Sequence, residues 1–148
     1  MTFRLPAELT VGFEDIDQQH RTILEAVETA RAAAASGDVA AARAALAALG
    51  DALVSHFSSE EGFMQEALYP DRARHKAAHD LFMQDFAQLG RELQSGLSDL
   101  VVQWIGTRVS EWVKFHIRVN DAPLAEYLSS RRFHPRASPA RSVKPQAS

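Results

Sequence analysis

HFSSEEGFMQEALYPDRARHKAAH, residues His56 to His79, holds the reading that decides the fold. Its middle, Tyr69-Pro70-Asp71, stops one helix and caps the next, because proline cannot continue a helix and aspartate accepts hydrogen bonds from a new first turn. On either side the same device recurs. His56 and Glu60 stand four residues apart before the turn, and His75 and His79 stand four apart after it. Residues at i and i+4 share one helix face, about 40° apart at 3.6 residues per turn. Two antiparallel helices joined here would therefore aim four donor side chains at one level.

Working outward, period-2 alternation is absent and helix formers fill the spaces between clear breakers. A first helix is expected from about Asp15–Asp17 to Ser36-Gly37, and a second from the Asp38 cap to about Leu68. A third covers about Arg72 to Gln94, and a fourth runs from near Ser98 to about Val119. A short helical piece through Leu128 should then fold back. The fold class is all-α: an up-down-up-down four-helix bundle with an N-terminal extended arm and a short C-terminal helix.

Each helix carries the 3,4 spacing of a bundle seam. On the first it is Ile16, His20, Ile23, Val27, Ala30 and Ala34; on the second Leu46, Leu49, Leu53, His56, Glu60 and Phe63. On the third it is His75, His79, Phe82, Phe86, Leu89 and Leu93, and on the fourth Val102, Ile105, Val109, Trp112 and His116. The polar members interrupt otherwise apolar columns. Burying them without partners is costly, so compensation by a cation is expected. In an antiparallel bundle His20, His56, Glu60, His75, His79 and His116 all fall at the same end. Asp121 would lie about 140° from His116 in a continuous helix. Pro123 biases Ala122 away from helix, so the fourth helix is expected to end and let Asp121 turn inward.

Five histidines and two carboxylates exceed one four-coordinate zinc. Imidazole with carboxylate suits iron, with zinc, manganese and cobalt as competitors. If two six-coordinate ions share the site, five imidazoles, two bridging carboxylates and one oxide or hydroxide bridge fill every position but one. The odd number of histidines then makes the ions unequal.

The segments GFEDIDQQH, HFSSEE, YPDRARHKAAH and WVKFHIRVND closely resemble the hemerythrins, above all the single-domain bacterial ones, the bacteriohemerythrins. The resemblance spans about residues 10 to 128. It implies two iron ions with an oxo or hydroxo bridge: His75, His79 and His116 on one, His20 and His56 on the other, Glu60 and Asp121 bridging. It implies reversible O₂ binding at the two-histidine iron, and an apolar O₂ pocket lined by Ile23, Phe57, Trp112 and Val113. Val113 departs from the family, which commonly has leucine there.

The function expected is an oxygen carrier, store or buffer rather than an enzyme. The alternatives are an O₂ or redox sensor acting through a partner, and a di-iron oxidase, peroxidase or nitric oxide-handling protein. Ferritin-like Glu-x-x-His motifs and HExxH are absent from the sequence. The HD dipeptide His79-Asp80 reads as incidental, since Asp80 points off the histidine face. Glu61, about 100° off the seam, reads as a surface charge, with a supporting place behind the metal ligands as the alternative.

The chain of 148 residues has no cysteine, which removes disulfides, thiolate metal sites and cysteine nucleophiles. No apolar leader or membrane-spanning run is read, so a cytoplasmic monomer without membrane insertion is expected. Residues 1–130 form one bundle domain with 11 basic against 19 acidic residues. Residues 131–148 carry five bases, no acid and three prolines, and read as a disordered tail with His134 exposed. Without interleaved aromatics that tail is poor evidence for nucleic-acid binding, and none is expected.

Overall fold

Helix ends in the computed structural model, which describes residues 3–135, sit where the sequence punctuates them. The first helix, Glu14–Ser36, stops at Gly37, whose φ of 82° is left-handed and whose N–H donates to the Ala34 carbonyl. The second, Val39–Glu66, starts under Asp38, whose carboxylate accepts from the Ala41 N–H at 3.0 Å. Leu68 takes a left-handed φ of 57°, and the third helix occupies Arg72–Gln94. Ser98 then caps the fourth by accepting from the Val101 N–H at 3.2 Å.

The four rods pack in a ring, each against its sequence neighbours, with the fourth closing on the first. Their seam residues form the core. Among the described residues no strand occurs. The arm before the first helix is extended apart from one 3₁₀ turn at Ala7–Leu9, which inserts Leu9 into the core. Buried Asp17 pins this arm, accepting from the N–H groups of Val11 at 2.8 Å and Gly12 at 3.0 Å. The second helix is long and apolar enough to cross a membrane by length and composition. Here its apolar face is part of the bundle, and it also buries His56 and Glu60.

The fourth rod differs from expectation. It does not end near Val119 but stays helical from residue 99 to residue 130. Two π turns, Trp104–Arg108 and Ile117–Asp121, interrupt its α-helical parts. Each i→i+5 turn takes one extra residue and re-phases the helix beyond it. That is why Val101 is buried and the expected seam residue Val102 is only half-buried. Ala122, expected to leave the helix, has φ −62° and ψ −45°. The wider turn ahead of Pro123 relieves the clash its ring would make with the carbonyl four residues back. The short C-terminal helix, Ala122–Ser130, thus continues the fourth rod instead of folding back on it.

A second apolar cluster closes the histidine end, built on Phe13, Ile16, Met64, Leu124, Ala125 and Leu128. Phe133, which the sequence places in the tail, packs onto it with ring centroids 5.7 Å from Phe63 and 6.4 Å from Phe13. His134 is exposed, and residues 136–148 of the expected tail lie outside the described residues.

Candidate metal centre

Each rod brings its polar seam residues to one level. His20 comes from the first, His56 and Glu60 from the second, His75 and His79 from the third, His116 and Asp121 from the fourth, and all seven are buried. Asp121 arrives by a route the sequence does not suggest. The π turn Ile117–Asp121 brings it back beside His116, with Oδ1 3.2 Å from His116 Nε2.

The five imidazoles all present Nε2 to the centre. His20 Nε2 lies 2.7 Å from Asp121 Oδ2, and His75 Nε2 3.0 Å from Asp121 Oδ1. His56 Nε2 lies 3.5 Å from Glu60 Oε2, and His79 Nε2 3.2 Å from Glu60 Oε1. The donors fall into two groups within 4.8 Å: Glu60, His75, His79, His116 and Asp121, and His20, His56, Glu60 and Asp121. Both carboxylates belong to both groups.

A cation fits this arrangement on its own terms. His56 Nε2 and both Glu60 oxygens are buried without a hydrogen-bond partner among the described residues. His79 and His116 turn Nε2 atoms toward each other at 3.1 Å. Buried acceptors left unmade cost about 1–3 kcal/mol each, and lone pairs converging from several sides are what a metal ion satisfies. The set is nitrogen and oxygen without sulfur, suited to iron and its neighbours.

Electrostatics repeats the point. Burial, then the charge of Asp121, pushes the Glu60 carboxyl well above its ordinary range. Burial also works against the Asp121 carboxylate, but the surrounding histidines, His116 foremost, outweigh it and hold it well below. Burial lowers His56 to about 4. Burial and the neighbouring His116 and His75 lower His79 as well. For His75 burial is opposed by the close carboxyls of Asp121 and Glu60, which raise it to about 9. Without a cation the cluster cannot make all its members comfortable in one charge state.

A cavity of about 10 Å³ opens on the two-histidine side, lined by His20, His56, His116 and Asp121 and by Ile23, Leu53, Phe57, Trp112, Val113 and Ile117. That is about the room one water-sized molecule needs. All four residues named from sequence resemblance border it. Leu53 and Ile117 are additions.

The family model for the hemerythrin HHE cation binding domain matches residues 11–128. The chain belongs to the hemerythrin family. It is 33% identical over 123 residues to a bacteriohemerythrin of Stenotrophomonas maltophilia (strain R551-3), covering 83% of this chain and 79% of that one. With a bacteriohemerythrin of Methylococcus capsulatus it shares 38% identity over 120 residues, 81% of this chain and 89% of the relative. A crystal structure of wild-type hemerythrin superposes with a TM-score of 0.75 at 32% identity, covering 85% of this chain and 96% of that one. The domain is thus a hemerythrin non-haem iron-binding domain, the bundle is a hemerythrin bundle, and the cluster is its candidate metal centre.

Around the hemerythrin cluster lie supports that the seam does not reveal. Phe57 stacks on His79 with centroids 3.9 Å apart, and Trp112 stacks on His116 at 4.5 Å. Phe82 in turn stacks on Trp112 at 3.9 Å. Glu61, read from sequence first as a surface charge, takes the alternative role and places Oε2 2.9 Å from His79 Nδ1. The rotation of about 100° that takes it off the seam turns it toward the third helix. Gln19 does the same for His56, Oε1 to Nδ1 at 2.6 Å. A signal existed for both: each directly adjoins a cluster residue in sequence. Asp80 is exposed and pairs with Lys76 at 2.9 Å, so the HD dipeptide is incidental.

Proposed function

We propose that this hemerythrin domain holds two iron ions and binds O₂ reversibly, as a carrier, store or buffer. His75, His79 and His116 would hold one ion, His20 and His56 the other, with Glu60 and Asp121 shared. The observation that carries the reading is the pair of donor groups with both carboxylates in common, beside a cavity that His20 and His56 line together. When bound, iron supplies the reversible electron donation that O₂ capture requires.

The protein's own part is exclusion and orientation. Ile23, Leu53, Val113 and Ile117 give a hydrocarbon wall that disfavours water and anions while admitting an apolar diatomic. The Trp112 stack fixes the plane of His116. Every lining residue outside the seven-residue cluster is aliphatic or aromatic. That supports binding over an oxidase or peroxidase role, which would draw on a proton donor at the wall.

Anaerobic reduction followed by exposure to air, with metal analysis on the same sample, tests the reading. Two irons per chain and an absorption band that disappears on deoxygenation and returns in air are expected. One tight zinc per chain, indifferent to Glu60→Ala, overturns it.

A further inference from the structure

We infer that Glu61 and Gln19 are positioning residues that fix the ring tautomers of His79 and His56, and that the charge difference between them makes the three-histidine side the tighter metal position. This rests on the di-iron reading. Carboxylate and amide oxygens only accept, so both Nδ1 atoms carry the hydrogen. Each Nε2 lone pair is then held toward the centre. His20 and His75 have no such outer partner: their Nδ1 atoms are buried and unpaired among the described residues.

The placement is regular. Gln19 precedes His20 on the first helix and serves the second helix's His56; Glu61 follows Glu60 on the second helix and serves the third helix's His79. One residue's rotation from the seam turns each toward the adjoining rod. Their chemistry differs. A carboxylate behind an imidazole raises its basicity as a ligand, and a neutral amide does so less. His79 is therefore the stronger donor, on the side that already has three histidines. Glu61 also borders a surface groove with Ser58, Arg72 and Lys76, and its side chain is 28% exposed. Replacing it leaves no sealed void in the core.

The full-length metal-free protein would be titrated anaerobically with Fe(II) alone against a competing chelator. Ring-nitrogen NMR of His79 in the metal-free protein would be read alongside. Wild type should show two unequal affinities and a single Nδ1–H tautomer. Glu61→Ala should weaken the tighter site by roughly 10–100-fold and mix the tautomers. Glu61→Gln should keep the tautomer but narrow the gap between sites, and Gln19→Glu should narrow it from the other side. Wild-type affinities and tautomer in Glu61→Ala overturn the inference and leave two irons standing. A wild type that takes up a single Fe(II) overturns the underlying reading too. If the alanine variant loses helical circular dichroism, Glu61→Gln decides: an unchanged gap sinks the charge argument.

Discussion

At one end of the bundle Ala30, Ala34, Leu46, Leu49, Leu89 and Leu93 fill the seam; at the other, the same 3,4 spacing is filled by His20, His56, Glu60, His75 and His79. The first end is stabilised by burial alone, at roughly 25 cal/mol per Å² of apolar surface. The second has orphaned acceptors and opposed carboxyl shifts, and is satisfied only by something that binds there. A helical frame can thus stand on one end while the other waits for its ligand. The two should respond separately to damage.

Metal removal should give the largest effect. Two ions at a hundred times their dissociation constants add about 5 kcal/mol by linkage, so the apoprotein should melt far below the holoprotein while staying helical. Glu60→Ala or Asp121→Ala should lose at least one metal. Equal melting temperatures with and without metal would erase the contrast between the ends.

Leu49→Ala strikes the other end. Leu49 is 1% exposed, and such truncations cost about 2–5 kcal/mol. Chemical denaturation should show that loss in both forms, with iron content at saturation unchanged. Loss of iron at saturating metal would mean that the ends are coupled.

Acid sharpens the comparison within the polar end. In the metal-free protein His56 has a folded pKa of about 4, below its ordinary 6.5. Between those values the unfolded chain takes up a proton that the folded chain refuses, so stability is lost as pH falls from 6.5 toward 4. The loss is on the order of 3 kcal/mol. Glu60, raised by burial and by Asp121, works in the opposite direction. The His56 share is therefore the difference between wild type and His56→Gln, unfolded at pH 7 and pH 4.5. Identical losses in the two proteins would contradict it.

The smallest change concerns the cavity, where the two ends meet. Val113→Leu adds one methylene to a wall around room for about one water-sized molecule. Stability should fall by less than the roughly 1–3 kcal/mol that an added methylene costs in a closed core, because the space beside it is open. Autoxidation of the oxygenated form should slow, and Val113→Ala should speed it, timed from the decay of the absorption band in air. Equal rates, or a faster leucine variant, reject the role of packing at this position.

The ends of the first three helices and most of their seams were legible because breakers and spacing act locally: Gly37, Asp38, Pro70 and Ser98 set boundaries whatever packs around them, although Met64 is buried where Phe63 was expected. Six of the seven converging residues came from register; Asp121 was expected to turn inward at a break before Pro123 and instead arrives within a π turn. The fourth rod was not legible, since a π turn is a choice of hydrogen-bond partner that leaves residue types unchanged. Its effect appears as Val101 in place of Val102, as Val113 buried beside a half-buried Trp112, and as Asp121 reached without a break. Gln19 was hidden, and Glu61 only half visible, for another reason: a residue off its own seam can still face the neighbouring rod. Phe133 belongs to the body because Phe13 and Phe63 offer it a surface, which composition of the tail does not reveal.

The π turn at Trp104–Arg108 has a genetic reading. Arg31 reaches across from the first helix to the carbonyl of Gly106, 2.8 Å from its Nε, and so braces a turn that is one residue longer than α-helical. Deleting one codon within 104–108 would make the helix more regular, yet it would swing everything downstream by about 100°. Trp112, His116 and Asp121 would leave the centre together. A reading frame preserved by three nucleotides would still strip the centre of the fourth rod's donors, whereas most point changes on the exposed face of the same rod would pass unnoticed.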